Sequence, residues 1–100
     1  MNIRINSVQF DADQKLENFI HGRISKLSHY YDDILGAEVF LRLENTQDSA
    51  NKITEIKLEV PGNDLFAKKQ SKTFEESTDH AVEALKKQIN KKKTKNKQNN

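Results

Sequence analysis

Two segments of this chain alternate apolar and polar residues with a period of two, and no other feature limits the possible folds as much. Ala37, Val39, Leu41 and Leu43 alternate with Glu38, Phe40, Arg42 and Glu44; Thr54, Ile56, Leu58 and Val60 alternate with Glu55, Lys57 and Glu59. Successive side chains of a strand point to opposite faces, so each segment predicts a strand with one face to bury and one left to water. The polar run 45–52 between them predicts a loop, which makes the two strands antiparallel neighbours. Ile3 and Ile5 among Asn2, Arg4 and Asn6 add a short N-terminal strand. After the turn residues Pro61, Gly62, Asn63 and Asp64, Leu65 to Ser71 reads as a fourth, edge strand, where Lys68 and Lys69 discourage further pairing.

Two other stretches repeat at steps of three and four. Leu16, Phe19, Ile20, Ile24, Leu27 and Tyr31 form one helical stripe. Asp11 is its expected N-cap, with Gln14 three residues on and Asp13 adding negative charge where the helix dipole favours it. Gly22 lies inside that helix, and Gly36 punctuates the chain before the next strand. Thr73 with Glu76 is a capping box for a second helix, whose stripe is Phe74, Thr78, Ala81, Val82, Leu85 and Ile89. Lys92 stands where the next apolar residue would fall, so packing is expected to end near 89–91. Residues 1–93 then form a single domain, and 94–100 a basic disordered tail. The order β-α-β-β-β-α predicts an α+β, two-layer fold: a four-stranded mixed sheet with both helices on one face, the other open to water.

The 100 residues suffice for one domain with a modest core. The absence of cysteine excludes a disulfide framework or thiolate metal site and fits a reducing compartment. The N-terminus lacks a signal-peptide pattern, and no window approaches the length of a membrane span, so a soluble, cytoplasmic protein is expected. Charge is distributed unevenly. Residues 1–85 carry ten Lys+Arg against fifteen Asp+Glu, whereas residues 86–100 carry seven lysines and no acid. Such a run cannot be paired locally and marks a polyanion partner.

The open sheet face is expected to present Arg4, Glu38, Phe40, Arg42, Glu44, Glu55, Lys57 and Glu59. With a single aromatic it lacks the rings on which RNA-recognition sheets stack bases, and cross-strand ion pairs are the simpler reading. The helices are better candidates. Lys15 and Lys26 share a flank of the first helix with Arg23 nearer the stripe, while Lys87 and Lys91 project outward from the second and Lys86 and Lys93 occupy another flank. His21, His29 and His80 stand in no metal-ligand spacing, the neighbours Asp32 and Asp33 or Glu75 and Glu76 point apart, and the Pro61 turn lacks the glycine spacing of a phosphate loop. Tyr30 and Tyr31 are expected to close the end of the core, with base stacking as the other use of one ring.

The segment Arg23-Ile-Ser-Lys26-Leu27-Ser-His-Tyr30-Tyr31-Asp32 resembles the basic helix end of the bacterial ribosome hibernation promoting factor and ribosome-associated inhibitor family, the sigma-54 modulation proteins. Val60 to Ala67 is similar to that family's strand-turn-strand, and Asp79, Val82, Leu85, Lys87, Gln88, Ile89 and Lys91 to its last helix. The resemblance covers roughly 1–93, with Glu17 and the stretch 72–76 departing from the usual pattern. It implies a fold like that of double-stranded RNA-binding domains and a factor that binds the small ribosomal subunit near its decoding region. Such a factor blocks messenger and transfer RNA sites in resting cells. Residue by residue, Arg23 and Lys26 match the basic positions of the first helix, and Lys87 and Lys91 those of the second. Ending at residue 100, the chain is expected to be a short form, monomeric off the ribosome.

The expected RNA-binding residues are therefore Arg23, Lys26, Lys86, Lys87, Lys91, Lys92 and Lys93, acting by occupancy with no catalytic residue, metal, cofactor, membrane or small-molecule substrate. The alternative is a protein-interaction module using the sheet face or edge strand. A metal-dependent nuclease would need a ligand spacing that the chain does not show.

Overall fold

The computed structural model describes residues 1–98, with side chains described as far as Lys93. The elements are β1 (Asn2–Ser7), α1 (Gln14–Ser25) running into a 3-10 turn (Lys26–His29), β2 (Gly36–Leu43), β3 (Lys52–Glu59), β4 (Leu65–Ser71) and α2 (Phe74–Gln98). Sheet order follows chain order, with β1 parallel to β2 and the remaining pairs antiparallel. A parallel pair needs a crossover, and α1 supplies it. The predicted α+β architecture is thus the one observed.

Register explains the core. Ile5, Val39, Ile56 and Ala67 lie opposite one another across the four strands, as do Ile3, Ala37, Leu58 and Leu65. Against these rows pack Ile20, Ile24 and Leu27 from the first helical segment and Phe74, Ala81, Leu85 and Ile89 from α2. The next row, Ser7, Leu41, Thr54 and Lys69, meets the start of α2. There the buried Thr54 Oγ1 lies 2.6 Å from Ser77 Oγ and 3.4 Å from Thr78 Oγ1, while Ser77 donates to the Phe74 carbonyl at 3.2 Å. Ser77 has only one proton, so Thr54 donates to it and Thr78 donates to Thr54. The chain of hydroxyls leaves no lone donor in the core.

Gly36 opens β2 between both neighbours, paired with Asn2 and Glu59. A Cβ there would sit 2.8 Å from the Asn2 carbonyl oxygen and 2.7 Å from Glu59 Oε1, so only glycine permits this approach. Gly62 has φ +88°, as the turn before β4 requires.

Two local expectations are revised, one is met and one contact is new. Asp13, not Asp11, caps α1: its backbone is extended, and its Oδ1 accepts from the Leu16 amide at 2.8 Å. Replacing Asp13 with alanine is expected to cost about 1 kcal/mol in denaturant unfolding, whereas Asp11→Ala costs little. Thr73 does cap α2, accepting from the Glu76 amide at 3.0 Å. Leu43 is 50% exposed rather than buried, because β2 reaches past the last core row into the 44–51 loop. Phe10, outside any periodic run, stacks on Phe74 with centroids 5.1 Å apart and ties the entry to α1 to that of α2.

Burial on α2 ends at Ile89, near the expected point. Lys92 follows the stripe, its stem half-buried and its ammonium donating to the Pro61 carbonyl at 3.1 Å. The backbone of α2 continues to Gln98. The tail expected over 94–100 lies outside the described side chains.

Candidate nucleic-acid interface

Two helices lying side by side leave a cleft along their seam, and its walls follow from the helical repeat. On α2 the flank one step from the buried stripe carries Asp79, Val82 and Lys86; on the first helical segment it carries Arg23, Lys26 and Tyr30. These residues line a cleft of about 220 Å³. Arg23 lies over the Phe19 ring, 4.4 Å from its centroid, and pairs with Asp79 through Nε–Oδ1 at 2.7 Å. The pair is half-exposed, worth about 0–1 kcal/mol, so it orients the guanidinium without locking it away. Lys86 Nζ stands 4.4 Å from the centroid of the Tyr30 ring. The hydrogen bond to Tyr30 holds that ammonium above the usual lysine range. Lys93 Nζ donates to the Tyr30 carbonyl at 2.6 Å, which fixes the 3-10 turn against α2.

The structure keeps Lys86 and Lys87 on the separate flanks that the helical wheel gave them and decides which flank meets the first helical segment. Lys86 joins Arg23 and Lys26. Lys87 does not: it lies on the opposite flank of α2, lining a groove with Lys69, His80, Glu83 and Ala84. Lys91, exposed and one turn further on, follows Lys87. Lys92 and Lys93 already hold backbone carbonyls of the fold. Tyr31 packs half-buried against the core as expected, whereas Tyr30 is 40% exposed at the cleft.

The open sheet face is a lattice of ion pairs. Arg4 reaches Glu38 at 3.9 Å and Glu59 at 3.4 Å, Lys57 reaches Glu38 at 3.8 Å, and Glu55 holds both Arg42 at 3.1 Å and Lys68 at 4.0 Å. Arg4, Arg42, Lys57 and Lys68 are each matched by a carboxylate. Ile53 is buried on this face and Phe66 is 53% exposed at its edge; neither departure was visible from the alternation. Among the described residues no group of three or more His, Asp or Glu is placed to hold a metal, and no helix is long and apolar enough to cross a membrane.

The sequence matches, over residues 3–97, the family described as sigma 54 modulation protein / S30EA ribosomal protein. The chain belongs to that family. Two solved structures share its fold. The N-terminal domain of Protein Y from Thermus thermophilus superposes with a TM-score of 0.77 at 22% identity, covering 89% of this chain and 96% of that one. A ribosomal subunit interface protein from Coxiella burnetii gives 0.83 at 18% identity, covering 94% and 99%. At such identities the likeness is one of fold. No curated protein matches the sequence. For this S30EA-family chain, the resemblance drawn from the Arg23–Asp32, Val60–Ala67 and Asp79–Lys91 segments identified the correct family.

Proposed function

We propose that this S30EA-family protein binds the small ribosomal subunit near its decoding region and silences it by occupancy, blocking messenger and transfer RNA sites in resting cells. The match to a ribosomal protein family over residues 3–97 carries the reading. The geometry supports it: Arg23, Lys26 and Lys86 converge from two helices on one cleft in which, among the described residues, only Arg23 is ion-paired, whereas Arg4, Arg42, Lys57 and Lys68 of the sheet face each have a carboxylate partner. Binding, not chemistry, is the activity, and the protein acts as a monomer on ribosomal RNA in the cytoplasm. Phosphate contacts position a protein without reading sequence, so affinity should vary little with base identity.

Sedimentation of resting-phase ribosomes with and without the protein tests this directly. Co-migration with small subunits is expected, with displacement of messenger RNA. With about four phosphate contacts, affinity should fall roughly fiftyfold for a fourfold rise in salt, through counterion release. Equal binding at low and high salt would exclude the mechanism. A partner that survives nuclease treatment would favour a protein-interaction module instead.

A further inference from the structure

Helix α2 outlasts the face it buries. Ile89 is its last buried residue among those described, and Asn90, Lys91 and Lys93 are exposed, yet its backbone stays helical to Gln98. At a rise of about 1.5 Å per residue, the stretch 90–98 carries the helix axis about 13 Å past the core, so a tilt of about 10° at its root moves its end by about 2 Å.

Lys92 and Lys93 stand at that root, and both reach back to the body. Neighbours on a helix point about 100° apart, so the two side chains leave in different directions. Lys92, half-buried, donates through Nζ to the Pro61 carbonyl, in the turn between β3 and β4, at 3.1 Å. Lys93 donates through Nζ at 2.6 Å to the carbonyl of Tyr30, the C-cap of the 3-10 turn. That carbonyl lies at the negative end of the first helical segment, where partners within the helix run out and a cation is favoured. One such contact would leave the helix end a pivot. Two contacts, to separate elements of the body, fix both its direction and its rotation. A phosphate that took either ammonium would have to draw it off a carbonyl and loosen the helix end. The Lys26 ammonium, in contrast, has no partner among the described residues to give up.

We propose that Lys92 and Lys93 are positioning residues rather than RNA ligands: together they bracket the root of the protruding end of α2 and fix the direction in which it meets its target. The bracket is a property of the free protein, and its use in binding rests on the ribosome reading above. A helix end already held in place has less freedom to lose on binding, so the two lysines contribute through preorganisation.

The chain contains no cysteine, so a pair of spin labels reports the angle without background. Labels at His21→Cys on α1 and Asn96→Cys give the spread of distances between body and helix end in the free full chain. Lys92→Met/Lys93→Met keeps the stems and removes the donors; it should broaden that spread about twofold, whereas Lys26→Met should leave it as in wild type. A retained cooperative melt shows that the body stays folded. The unlabelled variants are then bound to purified small ribosomal subunits across a salt series. Loss of the bracket should weaken binding about fivefold at every salt concentration, because the helix end must then be ordered on binding. The slope of log affinity against log salt should stay within about 0.3 of wild type, whereas two lost phosphate contacts would lower it by about 1.5. A distance spread as narrow as wild type, or a slope lowered by the full amount, overturns the bracket and returns both lysines to the RNA-contact set. If the wild-type protein does not bind subunits, the ribosome reading fails while the distance measurement still decides the bracket.

Discussion

Reversing Lys26 and Lys86 together to glutamate is expected to weaken binding to small ribosomal subunits on the order of a hundredfold. Each lysine stands in the cleft between the helices, where a charge-assisted contact to phosphate contributes about 1.5 kcal/mol or more, and a carboxylate in its place adds repulsion. The matching control is Arg42→Glu/Lys57→Glu on the open sheet. Those two residues are consumed by Glu55 and Glu38, so their reversal perturbs surface pairs and leaves RNA affinity within about threefold. Filter binding or sedimentation at fixed ionic strength distinguishes the outcomes, and comparable losses in both variants would move the interface to the sheet. Lys86→Glu also gives up its place on the Tyr30 ring, a small loss of stability at an exposed site. The melting temperature of the free protein reports that share separately.

Leu85→Ala should destabilise the fold by about 2–5 kcal/mol, a large part of the total for a domain of this size. Leu85 is fully buried in the middle of the α2 stripe, packed with the core-facing strand residues and the first helical segment. Truncation removes its transfer energy and leaves a cavity that the surrounding isoleucines fill only in part. Urea titration measures the loss as a lower midpoint at unchanged slope. Binding should fall only by the fraction unfolded, because once α2 docks it still presents Asp79, Lys86 and Lys87 at the same angles. A variant that stayed folded yet lost affinity would show that the exact seating of α2, and not charge alone, determines recognition.

How much of this was legible beforehand depended on whether the governing interaction was local. The alternation of Ala37 to Leu41 and Thr54 to Val60 is imposed by one-sided burial, so it declared both strands. Thr73 is the kind of cap whose partner lies three residues away, and it too could be read. The choice between Asp11 and Asp13 was closer, because both precede the same stripe and only the true start at Gln14 decides. Leu43 failed because alternation states which side a residue faces and not where the core ends. The grouping of cations was hidden for a different reason. Helical angles separate Lys86 from Lys87, but which flank meets α1 is a tertiary fact. Lys92 to Pro61 and Lys93 to Tyr30 join residues far apart in sequence, beyond any local pattern. The Lys69 groove needed the strand register as well.

The lattice of matched charges on the open sheet has a consequence for how the protein arrives at its target. With that side electrically quiet and seven lysines gathered in residues 86–100 against a net acidic remainder, the molecule is a strong dipole. If α2 is the binding face proposed above, the field of a ribosomal surface would exert a torque before contact, turning α2 forward and the sheet away. Fewer collisions would then be wasted on the wrong side, and the sheet, left facing outward, would meet the solvent with no net pull on a second RNA.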